Sequence, residues 1–264
     1  MNKYLLLVVL SIAIISCSPF QKALKSENVE VKYTEANKLY EAKKYSKSLR
    51  LFEQLSPLYK GKPQAEKMFY MYSQALYKTK EYYAAGYQLE KFVASYPKSE
   101  KAEEASFLST ICFTKLSPVY SLDQVDTDKA IEKTQNFIDT YPESQYLSEA
   151  NANVKLLREK LEKKAYENAK QYNTISDFKA ALVALDLFIA DFPGTAFKEQ
   201  ALYYRLDSAY KLAINSVPTK MEERLKVSKV AYANLIKFKA DTQFKIKADN
   251  MLAIIDKNLQ QFSK

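Results

Sequence analysis

One pattern of side chains recurs along this chain at fixed spacing. Tyr45, Ser48, Phe52, Leu55 and Tyr59 open it, and Tyr82, Ala85, Leu89, Phe92 and Tyr96 repeat it. Thr127, Ala130, Thr134, Phe137 and Tyr141 follow, then Phe178, Ala181, Leu185, Phe188 and Phe192. A worn fifth copy reads Leu225, Ser228, Tyr232, Leu235 and Lys239. Steps of three and four residues place each set on one face of a helix. The pairs Tyr96-Pro97, Tyr141-Pro142 and Phe192-Pro193 end that helix, because a residue before proline is driven out of the α region. In every copy a small residue or Met (Met68, Ala105, Ala150, Ala201, Ala248) falls inside the next helix. Such self-similarity specifies an array of stacked helical pairs, in which each pair buries its apolar stripe only against its neighbours.

Composition narrows the chemistry. The 264 residues are 47% apolar and 13% aromatic, ample for a buried core, and contain only 3 Gly. Glycine-dependent folds, such as dinucleotide-binding sheets and phosphate loops, are disfavoured. There is no His, so the commonest general base and metal ligand is missing, which argues against a zinc site or a Ser-His-Asp triad. Adjacent acids such as Glu103 and Glu104, or Glu222 and Glu223, point to different sides of a helix and do not converge as an acid–base pair. We expect neither an enzyme nor a cofactor. The net charge of +9 fits a solvated Lys-rich surface, an acidic partner or anionic headgroups. The lysines are dispersed, which with the N-terminus below argues against nucleic acid.

Lys3 precedes an apolar run from Tyr4 to Ile15. A dozen residues are too few to cross a hydrocarbon layer of ~30 Å as a helix, and the run suits a signal-peptide core. It closes on Ile14-Ile15-Ser16-Cys17, which resembles the bacterial lipobox. That resemblance implies cleavage after residue 16 and acylation of Cys17, with more than one acyl chain for stable anchoring. Residues 18–28 read as a polar tether. Cys112, in an apolar helical stretch, reads as a buried unpaired thiol.

The periodicity predicts helical pairs 29–42 with 46–58, 64–79 with 82–95, 99–116 with 127–140, 144–172 with 177–191 and 195–214 with 219–238, then a last capping helix over about 242–262. The long first helix of the fourth pair, charged on its outer side, reads as a solvated face with i,i+4 pairs or as a joint between two halves of the array that also offers a docking surface. The first helices repeat too: Tyr33-x2-Ala36-x3-Tyr40, Tyr70-x2-Ser73-x3-Tyr77 and Tyr166-x2-Ala169-x3-Asn173. Together the two halves of each unit resemble the tetratricopeptide repeat, which implies an all-α solenoid of five irregular units. In that family the first helices line the inner surface. The repeat register then offers Thr34, Lys38 and Glu41 in unit one, and Met71, Ala75 and Lys78 in unit two, as groove positions for a partner.

A lipobox, a short tether and five such units in a chain of this length resemble the BamD family, the lipoproteins of the outer-membrane β-barrel assembly machinery. The insertion Ser117-Pro118-Val119-Tyr120-Ser121-Leu122-Asp123-Gln124-Val125-Asp126-Thr127 is similar to one in that family, as is Tyr141-Pro142-Glu143-Ser144-Gln145-Tyr146. The resemblance implies a periplasm-facing outer-membrane lipoprotein that binds a BamA-like barrel insertase, other lipoproteins of the machine and unfolded outer-membrane proteins. By the same analogy residues 144–262 carry the insertase contact. Asp123, Gln124 and Asp126 are candidates for a partner contact, with helix capping by the two aspartates as the alternative. The same fold and anchor would equally serve another envelope complex, in peptidoglycan coordination, secretion or motility. A carbohydrate-binding lipoprotein is disfavoured because the chain has no Trp. Replacing Cys17 with Ser is expected to move the protein from the detergent to the aqueous phase in Triton X-114 partitioning. Retention in the detergent phase would place the anchor elsewhere.

Overall fold

The structure, a computed structural model, describes residues 18–262. Cys17 and the apolar run before it lie outside the described residues. Among the described residues there are twelve α-helices, one terminal 3-10 turn and no strand. In chain order the helices are α1 (Pro19–Lys25), α2 (Val29–Glu41), α3 (Tyr45–Tyr59), α4 (Ala65–Lys78), α5 (Tyr82–Ser95) and α6 (Ala102–Leu116). They continue with α7 (Val125–Thr140), α8 (Leu147–Thr174), α9 (Phe178–Asp191), α10 (Lys198–Ile214), α11 (Pro218–Phe238) and α12 (Lys245–Leu259). The chain divides into two compact units, residues 18–118 with 125–154, and residues 119–124 with 155–262. The division falls inside α8.

In the first unit α2 to α7 pack in sequence as helical pairs, each helix against the next. The repeated register forms the core: Phe52, Leu55, Tyr59, Leu89, Phe92 and Phe137 are all buried. In the second unit α8 packs on α9, and α9 to α12 follow in order, with Leu185, Phe188, Leu206 and Leu235 inside. Both are stacked-pair solenoids of the kind the register implies.

The residues between paired helices explain how three glycines suffice. Lys43, Lys80 and Ser176 adopt positive φ of 56°, 66° and 64°. Each stands just past a helix end, and the residue after it closes the helix. Lys44 N–H donates to the Leu39 carbonyl at 2.8 Å, Glu81 N–H to Leu76 at 3.0 Å and Asp177 N–H to Tyr172 at 2.9 Å. This is the Schellman geometry usually given to glycine. A non-glycine residue there carries roughly 1 kcal/mol of strain, offset by the helix packing that the turn permits.

The stretch read as a tether contains helix α1. Ser18 Oγ accepts from the Gln21 N–H at 3.3 Å, and Pro19 occupies the first helical turn. Phe20, Ala23 and Leu24 then fall on one face, with Phe20 and Ala23 buried in the first core. Lys47 Nζ and the Arg50 guanidinium each stand 5.6 Å from the Phe20 ring. The polar residues of 18–28 conceal this short apolar stripe.

A second set of contacts ties three of the turns to the preceding first helix. Ser99 Oγ donates to Glu66, Ser144 Oγ to Glu103 and Thr242 Oγ1 to Glu199, each at 2.6 Å. Each hydroxyl lies three residues after the helix-closing position. It also accepts from the N–H two residues on, as Thr195 does at 3.2 Å. The worn fifth copy keeps its turn this way. Lys239 replaces the aromatic residue, yet its Nζ reaches Glu199 at 3.0 Å beside Thr242. These contacts hold the Glu199 carboxyl below the usual range, the Thr242 hydroxyl contributing most.

Asn173 stands where α2, α4 and α10 carry Tyr40, Tyr77 and Tyr210. Its Nδ2 donates to Asp207 at 2.8 Å and to Ser208 Oγ at 2.9 Å, and Lys211 pairs with Asp207 at 2.7 Å. Asp207 is buried, so removing it takes one of two hydrogen bonds from the buried Asn173 amide and leaves a cavity beside it. Asp207→Ala is expected to lower stability by about 2–3 kcal/mol, read as a lower urea midpoint at unchanged slope.

Candidate partner-binding cleft

Two first helices of the first unit, α2 and α4, carry the groove positions. Thr34, Lys38 and Glu41 are exposed along one face of α2, and Lys78 is exposed at the end of α4, its Nζ 5.6 Å from the Tyr77 ring. Ala75 is fully buried and Met71 is 6% exposed. Ala75 is core and not groove, because α4 has neighbouring helices on both sides. Met71 reaches only the floor of a cleft of about 530 Å³, which Glu41, Tyr40, Lys67, Tyr70 and Lys101 also line. Thr34, Lys38 and Lys78 stand outside it.

The insertion candidates separate likewise. Gln124 is buried, its amide donating to the Val119 carbonyl at 2.9 Å and the Leu122 carbonyl at 2.8 Å. It shapes its own loop and is not a contact surface. Asp123 and Asp126 are exposed, and Asp126 lies in the first turn of α7, where unbonded N–H groups favour a carboxylate.

The cleft exists because one ring is missing. Five residues after each closing position, a side chain returns to the preceding first helix. Tyr146 stacks on Phe107 with centroids 4.5 Å apart and planes at 6°. Phe197 stacks on Tyr166 at 5.4 Å and 7°, and Phe244 on Tyr203 at 4.0 Å and 9°. In α2, Tyr33 is covered by Tyr59 at 5.0 Å. At the equivalent place over Tyr70 stands Lys101, its Nζ 5.7 Å from the ring centroid. A flexible ammonium takes the position of a flat ring, and the space beside Tyr70 stays open. Another hollow, of about 500 Å³, lies among α3, α4 and α5. It recurs one pair on, between α5 and α7, at about 280 Å³. It is a valley between stacked second helices, whereas the Tyr70 cleft opens along first helix α4.

The rim of the Tyr70 cleft is polar and connected. Gln74 Nε2 donates to Tyr70 Oη at 2.8 Å, Tyr70 bonds Glu104, and Lys101 Nζ donates to Glu104 at 3.1 Å. Burial and the Glu104 carboxylate push the Tyr70 phenol far above its ordinary range. Burial alone would raise the Glu104 carboxyl, but the Tyr70 hydroxyl and the Lys101 ammonium outweigh it and hold it below the usual value. The cleft therefore offers an aromatic face, a mobile cation and a fixed carboxylate, a set suited to binding. Cys112 is buried in α6, where burial pushes its thiol to about 12 and leaves it inert as a nucleophile.

The repeated hydroxyls and the side chains two residues behind them (Ser99 and Lys101, Ser144 and Tyr146, Thr195 and Phe197, Thr242 and Phe244) are positions that the sequence reading passed over. Their signal was present, at three and five residues after each closing position.

The YfiO family, described as outer membrane lipoprotein, matches residues 25–225 of this chain. The chain belongs to that family. Two curated relatives are both named outer membrane protein assembly factor BamD. That of Haemophilus influenzae is 19% identical over 237 residues, covering 86% of this chain and 90% of its own. That of Caulobacter vibrioides is 21% identical over 141 residues, 53% of this chain and 46% of its own, so the match spans under half of that relative. A solved Podosopora anserina chain of nearly identical TPR-like repeats aligns at 14% identity and a TM-score of 0.33, covering 83% of this chain and 98% of that one. The YfiO match takes in the Tyr70 cleft and the 117–127 insertion, and α12 lies beyond it. Among the described residues of this YfiO-family chain, no helix is long and apolar enough to cross a membrane.

A carboxyl held low in the fold stabilises it above the unfolded value, near 4.5, and that contribution is lost as pH falls through the folded value. The wild-type thermal midpoint is therefore expected to drop more steeply from about pH 5 to pH 3 than that of Glu104→Gln. Parallel curves would show that the Tyr70–Glu104–Lys101 cluster adds nothing to the fold.

Proposed function

We propose that this protein is a non-enzymatic assembly factor, anchored through Cys17 on the periplasmic side of the outer membrane. There it binds a barrel insertase and holds unfolded outer-membrane proteins for insertion. The family and the names of its relatives support the setting. The observation that carries the mechanism is the open place over Tyr70. An extended segment laid along the first helices presents side chains to the groove. One aromatic side chain of that segment takes the position that Tyr146, Phe197 and Phe244 occupy in the other pairs. Lys101 swings aside and pairs with a terminal carboxylate, so an aromatic residue at a chain end satisfies both groups. Lys38 and Lys78 draw the acidic end of the segment toward the groove.

The test is a fluorescent peptide ending in a free aromatic residue, titrated by anisotropy. Lys101→Phe fills the cleft with the ring found in the other pairs and is expected to weaken binding about ten-fold. Amidating the peptide's end should cost a similar factor. Lys38→Glu with Lys78→Glu should slow association and flatten its salt dependence. Unchanged affinity in Lys101→Phe would remove the cleft from the mechanism.

A further inference from the structure

The segment between α6 and α7 is stiff, and it turns apolar side chains outward. Its turn is closed by the Leu122 N–H donating to the Val119 carbonyl at 3.1 Å. Gln124 lies buried beneath and donates to the carbonyls of Val119, Leu122 and Asp123. From α8, Lys163 Nζ stands 4.4 Å from the Tyr120 ring centroid, and Lys164 Nζ donates to the Leu122 carbonyl at 2.5 Å. The backbone is thus held while Val119 remains 63% and Leu122 57% exposed. Leu156 of α8 is 62% exposed. It lies seven residues before Lys163, on the same helical face and about 10 Å along the axis.

Among the described residues, these three aliphatic side chains fall outside the first core and the four smaller clusters. A loop whose only task was to join two helices would not need a buried amide to hold valine and leucine in water.

We propose that Val119, Leu122 and Leu156 form a docking surface for a folded protein partner that offers an apolar socket edged with carboxylates. Apolar groups already fixed in position lose little freedom on burial, which makes them efficient anchors. Lys163 and Lys164 stand beside them and complement an acidic edge at short range. A lipid surface fits less well. Asp123, Glu159 and Glu167 alternate with these lysines, and headgroup attraction needs a one-sided excess of cations. A protein edge can match a mixed pattern charge by charge. The surface shares no residue with the Tyr70 cleft and does not depend on what that cleft holds.

The test places photoreactive p-benzoylphenylalanine at position 119, 122 or 156 of the full chain in its own cells, followed by mass spectrometry of the adducts. All three positions are expected to link one and the same protein, through a segment combining apolar residues with Asp or Glu. Lys163→Glu with Lys164→Glu should cut the yield about ten-fold. Val119→Ser, read from the label at 156, should cut it by a similar factor, and being exposed it leaves the circular dichroism and thermal midpoint unchanged. Phospholipid adducts, a different protein at each position, no adduct, or yields insensitive to both variants would each overturn the proposal. Peptide binding at the Tyr70 cleft is measured on the same variants and should not move, which separates the two failures.

Discussion

Every turn that leads from one helical pair to the next must return a side chain to the pair it has just left. Three of these turns do this with a ring laid flat on the ring of the preceding first helix, and three with a hydroxyl bonded to a glutamate in the first turn of that helix. Flat aromatic contacts and charge-assisted hydrogen bonds each contribute about 0.5–3 kcal/mol. Their larger effect is geometric. A ring and a hydroxyl two residues apart fix both the distance and the rotation of one pair against its neighbour. The small residues at Ala36, Ala85 and Ala181 let the helices approach, but they do not by themselves choose a rotation.

Against that rule, Lys101 is the exception that makes a site. Replacing one stacked ring by an ammonium leaves the surrounding pairs intact, because Ser99 still bonds Glu66. It removes only the cover of Tyr70. A repeating scaffold can therefore gain a binding cleft by omission, without any new loop, and at little cost to the core. The network of Gln74, Tyr70, Glu104 and Lys101 then keeps the half-buried ring in place. The loop at 119–124 works in the opposite sense. There a buried amide and two lysines are added so that a connection holds a fixed shape.

Residue patterns carried some of this plainly and hid the rest. The stripe Phe52, Leu55, Tyr59 and its copies announced the second helices, since a step of three or four residues has no other economical reading. The helix at Pro19–Lys25 was hidden because its stripe is two buried side chains long, too short to rise above its polar neighbours. Ala75 looked like a groove position because register alone cannot say whether a helix has one neighbour or two. Gln124 looked like a surface amide because nothing local marks which polar side chain will fold back onto its own backbone.

The sequence by itself determined the all-helical class, the number of pairs and the faces that go inward, because these follow from local periodicity and from where proline stops a helix. Only the tertiary structure decided that Tyr70 has Lys101 over it in place of a stacked ring, that Glu104 shares its edge, and that Val119 and Leu122 stay in water. Those facts depend on which residues of distant turns arrive at the same place: spacing marks positions such as 101 and 146, and packing decides what they meet.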